Sequence, residues 1–170
     1  MFIGYLGSAQ QIFTNVFAVG DLFAMYFALA AAAVGVASLV NAKLVMRLGI
    51  RRLTWAALLA LTVASFAFWA VLPTYAGAPP LALFLSWQMA TFFCVGIMFG
   101  NLSALSLEPL GHIAGLGAEF VGSLATFISL PLAWVIGDAF DGTVYPLTAG
   151  FAILGLAACG VVWVTERKAN

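Results

Sequence analysis

The chain has 170 residues, 65% of them hydrophobic and 7% charged, with six basic and six acidic residues that cancel. Soluble domains carry about 25% charged residues; this composition, with a mean hydropathy of +1.14, excludes a water-exposed globular fold and makes lipid the solvent. A net charge of zero leaves no field that would draw nucleic acid.

A bilayer core about 30 Å thick needs about 20 apolar residues in a helix. On that measure the spans fall at about 22–42, 53–73, 81–105, 116–137 and 144–165. The expected fold is an all-α polytopic membrane bundle, one domain over residues 1–170, with five full transmembrane helices and a partial first helix. That partial helix lies within residues 1–14. Ser8, Gln10, Gln11, Thr14 and Asn15 follow closely there, which predicts a helix ending near Ile12 and a wet turn to Asp21. Residues 1–20 lack the basic region of a cleavable signal.

Every basic residue lies in one of two places. Lys43, Arg47, Arg51 and Arg52 separate two spans, and Arg167 and Lys168 follow the last. Counting spans puts both groups on one side, which the positive-inside rule makes cytoplasmic. Loops 43–52, 74–80 and 138–143 are short, so successive helices are expected to be antiparallel neighbours. Small residues at helical spacing, Ala28–Ala32–Gly35 and Gly96–Gly100, are expected to let helix backbones approach. Pro131 interrupts the hydrogen-bond ladder of the 116–137 span. Cys94 and Cys159 sit in apolar runs and read as small hydrophobes, neither disulfide nor metal pair. Trp55, Trp69, Tyr75, Trp134, Tyr145 and Trp163 fall near span ends as an interfacial belt.

The stretch 43–52, K-L-V-M-R-L-G-I-R-R, resembles the cytoplasmic-loop signature of the major facilitator superfamily. Arg47, Gly49, Arg51 and Arg52 match it, Ala42 stands at the first glycine, and Met46 replaces the aspartate. Residues 2–13, F-I-G-Y-L-G-S-A-Q-Q-I-F, resemble the end of the seventh helix in the Bcr/CflA-type drug-resistance transporters. Residues 106–118, S-L-E-P-L-G-H-I-A-G-L-G-A, with 140–147, F-D-G-T-V-Y-P-L, resemble that branch between its tenth and twelfth helices. The resemblance implies helices seven to twelve of a twelve-helix drug:proton antiporter in the inner membrane, with most of helix seven missing. It also implies that amphipathic small molecules and protons are partners besides the lipid bilayer. Only one half of such a transporter is present, so the resemblance implies either a fragment of a longer gene product or a chain that pairs with a separate N-terminal half; a pseudo-symmetric homodimer is conceivable, though nothing in the sequence demands it.

Candidate residues each carry a plainer reading. Glu119, a few residues into the 116–137 span, is a costly intramembrane carboxylate of about 3 kcal/mol on insertion scales. It either couples protons or faces a cationic substrate, or it lies at the interface and suits the helix dipole. Glu108 and His112 are four residues apart across Pro109 and Gly111. They form either a pH-sensitive cytoplasmic latch or helix-end caps paired with the 43–52 loop. Arg47, Arg51 and Arg52 are a gating latch or simple topology determinants.

Candidates for a substrate path are Tyr5, Gln10, Gln11, Tyr26, Phe27, Gln88, Phe92, Phe93, Asn101 and Ser123, of which Gln88 and Asn101 are the better ones. An amide in hydrocarbon seeks a partner or a cavity, whereas each aromatic singly is ordinary core or lipid-facing material. G-x-G at 115–117 lacks the strand–turn–helix setting of a dinucleotide site. With no nucleophile–base pair, phosphate loop or metal motif, neither enzymatic activity nor a cofactor is expected.

Overall fold

The structure, a computed structural model, describes residues 2–169. The side chains of Phe2, Gly111, His112, Ala114, Glu166, Lys168 and Ala169 lie outside the described set, so the candidate His112 is placed by its backbone alone. Helix α1 (Phe2–Gln11) runs into a wide π-helical turn (Ile12–Val16) and a single 3-10 turn (Gly20–Leu22). Then come α2 (Phe23–Leu48), α3 (Ile50–Val71), α4 (Leu81–Leu107), a 3-10 stretch (Glu108–Ile113), α5 (Ala114–Asp138) and α6 (Tyr145–Ala169). The chain is an all-α bundle, with no strand among the described residues. Five helices, α2 to α6, are long and apolar enough to cross a membrane; α1, with 10 residues, is not.

Local chemistry sets the boundaries. Between α2 and α3 the backbone reverses at one residue, Gly49, with φ +79°. That left-handed region is open to glycine and strained for side chains, so the basic residues on either side stay close together. Before α6, Asp141 accepts hydrogen bonds from the Thr143 backbone N–H at 3.0 Å and hydroxyl at 2.6 Å. Thr143 in turn accepts from the Tyr145 N–H at 3.2 Å, so one free donor of the helix start is satisfied. The carbonyl of Gly77 accepts from Val144 N–H at 3.0 Å, tying the α3–α4 loop to the start of α6.

Helix α4 is central, packed against α2 on one side and α3 on the other; α3 also packs on α6, and α1 lies along α5. The α2–α4 crossing is tight because both backbones are nearly bare. Ala30, Ala33 and Ala37 are buried on α2, and a Cβ on Gly96 would lie 2.7 Å from Ala37 Cβ and 2.8 Å from the Val34 carbonyl oxygen. The other alanine row of α2, Ala28, Ala32 and Gly35, faces outward. Its expected role as a packing stripe within this chain is therefore not what the bundle uses. The inward row is extended by Asn41, four residues beyond Ala37, and an amide that must find a partner turns that face toward α4.

Near the α1–α2 connection, rings fill the core. Phe13 stacks on Tyr26 at 5.3 Å and meets Phe84 edge-on at 5.9 Å, and Trp87 stacks on Phe68 at 5.0 Å. Ile12 and Phe13 are fully buried, while Thr14 and Asn15 are exposed, so the turn after α1 is covered on one side only.

Candidate functional site

The polar groups divide into two sets. The first lies within the bundle. Asn41 and Asn101 form a reciprocal amide pair between α2 and α4, with Nδ2 to Oδ1 distances of 2.9 and 3.0 Å. Gln88 on α4 donates from Nε2 to the Tyr5 hydroxyl at 2.7 Å, and Tyr5 packs against Phe92 at 4.7 Å and Phe27 at 6.2 Å between ring centroids. Tyr5, Gln88, Phe92 and Asn101 are thus buried between helices. Deleting one member of such a pair leaves the other's polar atoms in hydrocarbon. Asn101→Ala is expected to lower stability by about 1 kcal/mol, and the Asn41→Leu/Asn101→Leu double variant to recover part of it, as read by thermal unfolding in detergent. Tyr5→Phe is expected to act in the same direction and by a similar amount, about 1 kcal/mol, by leaving Gln88 Nε2 without its acceptor.

The second set is exposed on one side of the molecule. Only 6% of the apolar stretch of α5 is buried in the bundle, against 17% for α2 and at least 28% for α3, α4 and α6. Along the open side of α5 runs a groove of about 550 Å³ that includes Glu119, Ser123, Thr126 and Leu130. A cleft of about 630 Å³ between α1 and α5 continues it, lined by Leu130, Trp134 and Asp138 with Gln11 across from them. Leu130 belongs to both, so the two join into one track. From Glu119 to Asp138 the track covers about 28 Å at the helical rise, close to the thickness of a hydrocarbon core.

The opposite side of the bundle is different. From Ala56 to Val71 every exposed residue of α3 is apolar or Trp69. Helix α6 exposes Ile153, Leu156, Val161 and Val164. Exposed serines of α4 (Ser86, Ser103, Ser106) donate to carbonyls one turn back and are satisfied within their own helix. Thr126 does the same on α5, to Gly122 at 2.9 Å. Glu119, Ser123, Gln10 and Gln11 have no side-chain partner among the described residues. Unsatisfied polar groups are costly against lipid tails, and these four gather on this side of the molecule.

At the end of the bundle that carries the basic residues, Arg51 pairs with Glu108 at 3.3 Å, both half-exposed or more. This joins the start of α3 to the turn after α4, and Glu108 is held by the 43–52 segment. The Arg167 guanidinium lies 4.0 Å over the Trp163 ring. Lys43, Arg47 and Arg52 have no partner among the described residues. An exposed pair such as Arg51–Glu108 is worth at most about 1 kcal/mol, so Arg51→Ala is expected to leave the thermal midpoint nearly unchanged. Cys94 and Cys159 are free and half-buried, the latter 3.7 Å from the Thr62 hydroxyl, and no metal-ligating cluster occurs among the described residues.

Sequence reasoning missed three of these features. Asn41 was hidden at a span end, although it stands seven residues before the end of α2 and Asn101 six before the end of α4; equal depth on neighbouring helices is the signal that pairs them. Asp138, taken for a loop residue, closes α5 beside Gln11. Trp134, assigned to the interfacial belt, also lines that cleft.

The helices and their apolarity make this a multi-pass α-helical membrane protein. No protein-family model matches the chain, and neither a curated protein nor a solved structure does.

Proposed function

We propose that the chain is the C-terminal half of a facilitator-type transporter, a proton-coupled exporter of amphipathic compounds in the inner membrane. In this reading the 43–52 segment around Gly49 and the C-terminus are cytoplasmic. The observation that carries the reading is the track along α5. It joins apolar and aromatic walls (Phe127, Leu130, Trp134) to a few separated polar groups, the composition that suits an amphipathic ligand. It has a carboxylate near each end, Glu119 and Asp138, where a proton or a cationic group can be held in turn. The facilitator-like loop residues Arg47, Gly49, Arg51 and Arg52 and the six-helix count agree with it.

A second reading is favoured by the openness of that track: it has a floor and no facing wall. On this reading the chain is a membrane subunit or fragment that does not transport until a separate first half covers the α1–α5 side. The two readings separate in a pump-deficient host. If the chain alone lowers accumulation of an amphipathic dye and raises resistance, it transports by itself. If it confers neither, autonomous transport is wrong and the subunit reading stands.

A further inference from the structure

We propose that the crevice over the start of α3, between the ends of α4 and α6, binds one anionic phospholipid with a glycerol headgroup, a phosphatidylglycerol. Its phosphate is held by Arg51 and the first turn of α3, and its acyl chains run down the outside of the bundle between α4 and α6. The inference rests on the membrane reading alone and is independent of transport.

The crevice exists because α3 packs extensively on both α4 and α6, whereas those two hardly touch each other. It holds about 330 Å³, within the roughly 300–1,000 Å³ of small-ligand sites. Thr54 of α3 is its floor, Leu102 and Ser106 of α4 form one wall, Val161 and Thr165 of α6 the other, and Arg51 stands at its mouth. It is more enclosed than the groove and cleft along α5. Thr54 is only about 6 Å inside the start of α3 at the helical rise, which is headgroup and glycerol depth. About one turn further from the helix ends, Phe99 of α4 is 75% exposed and Ala157 of α6 is exposed as well. The crevice therefore opens onto apolar surface at the depth of acyl chains.

The polar groups of the crevice specify the headgroup. Arg51 spends one donor on Glu108 at 3.3 Å, and a guanidinium has others to give. The Leu53 N–H bonds back to the Gly49 carbonyl at 3.2 Å, and no side chain caps the start of α3. The backbone N–H groups before Leu53 are therefore available to an anion, where the helix dipole favours one. The three hydroxyls have the opposite character. Thr54 donates to the Ile50 carbonyl at 2.8 Å, Ser106 to Leu102 at 2.7 Å and Thr165 to Val161 at 2.8 Å. With their protons engaged, their oxygens can only accept. A matching ligand brings an anion to Arg51 and hydroxyl donors to Ser106 and Thr165, as a phosphate bearing a glycerol headgroup does. Among the described side chains at this end, Lys43, Arg47, Arg51, Arg52 and Arg167 outnumber Glu108 and Glu119, which disfavours the ammonium of a zwitterionic lipid. Basic pockets between membrane helices hold anionic head groups in this way. A soluble anion would leave Leu102 and Val161, 40% and 66% exposed, uncovered; acyl chains cover them.

The test uses the purified full chain in detergent, stripped of lipid. Phosphatidylglycerol, phosphatidylethanolamine and phosphatidylcholine with the same acyl chains, and glycerol phosphate without any, are added in turn. Native mass spectrometry counts what stays bound, and thermal unfolding reads the stabilisation. Phosphatidylglycerol is expected to stay bound one to one and to raise the unfolding midpoint, and the other three are expected to do so more weakly. Arg51→Ala is expected to weaken its retention about tenfold or more while leaving the lipid-free midpoint unchanged. Glu108→Gln breaks the same ion pair and is expected to retain the lipid as well as the parent does. Arg52→Ala removes the same charge one residue away and is expected to matter clearly less than Arg51→Ala. Leu102→Trp with Val161→Trp, which fills the crevice, is expected to lose the lipid. Phosphatidylglycerol held no more tightly than phosphatidylcholine or phosphatidylethanolamine overturns the proposal. So does an equal effect of Arg52→Ala and Arg51→Ala, the mark of diffuse attraction to a basic surface. Glycerol phosphate bound as tightly as the lipid also overturns it, because the site would then belong to a soluble anion.

Discussion

Gly96→Leu is expected to yield little folded protein. The glycine sits where α2 and α4 cross, and a Cβ there would be 2.8 Å from the Val34 carbonyl oxygen and 3.0 Å from Val34 Cα. Backbone atoms cannot swing aside as the end of a flexible side chain can. The helices must separate, and that separation breaks the Asn41–Asn101 pair, which lies one turn further along the same crossing. Overpacking alone costs about 1–3 kcal/mol, and orphaned amides add about 1 kcal/mol. The sum is a large part of the roughly 5–15 kcal/mol that holds a domain together. Gly35→Leu on the outward face of α2 is the matched control and is expected to change stability by less than about 0.5 kcal/mol. Thermal unfolding followed by tryptophan fluorescence, with size-exclusion profiles before and after heating, distinguishes them. Equal midpoints for the two variants would mean that the α2–α4 crossing is not where the structure places it.

Glu119→Gln and Asp138→Asn are each expected to reduce efflux about tenfold or more while leaving the unfolding midpoint within about 0.5 kcal/mol of the parent. Both side chains are exposed in the track and make no ion pair within the chain among the described residues. Removing their charge therefore breaks nothing that holds the fold. Each carboxylate lies at or near an end of α5, and neither is tied to another element of the fold. Loss of transport without loss of stability is thus the signature of a group kept for its charge. Ser103→Ala, on the exposed side of α4 where the hydroxyl only bonds its own helix at 2.8 Å, is expected to change neither. The readout is initial dye export in vesicles holding equal amounts of protein.

Much of this organisation is legible in the sequence, and for definite reasons. Hydropathy alone finds the five long spans because each is a continuous apolar run bounded by Pro, Gly or charge, as at Gly49 and at Pro79–Pro80. The incomplete first helix follows from the polar cluster Ser8 to Asn15. What hydropathy cannot give is rotation about a helix axis. In a soluble helix the apolar face marks the core, but α4 carries polar residues both outward (Ser86, Ser103, Ser106) and inward (Gln88, Asn101) and has almost no amphipathic signal. Gln88 and Asn101 are therefore visible as amides and invisible as inward-facing. Their partners Tyr5 and Asn41 lie 83 and 60 residues away in the chain, and only packing brings them together. The alanines of α2 make the same point. Two rows of small residues are equally good on paper, and Asn41 decides which of them turns inward. On α5 the pattern is legible once its setting is known: Glu119, Ser123 and Thr126 share a side, and that side meets no other helix of this chain at their depth.

The track along α5 is expected to be wet in the membrane while the α3 and α6 faces meet lipid. Single cysteines at Thr126, Leu130 and Trp134, in a chain lacking Cys94 and Cys159, measure this directly with a small, membrane-impermeant thiol reagent. All three are expected to react at rates well above those of cysteines at Val63 and Leu156, and an amphipathic transport substrate is expected to slow them. If cysteines at Thr126, Leu130 and Trp134 are as inert as those at Val63 and Leu156, the α5 face is ordinary lipid-facing surface and the path does not run there.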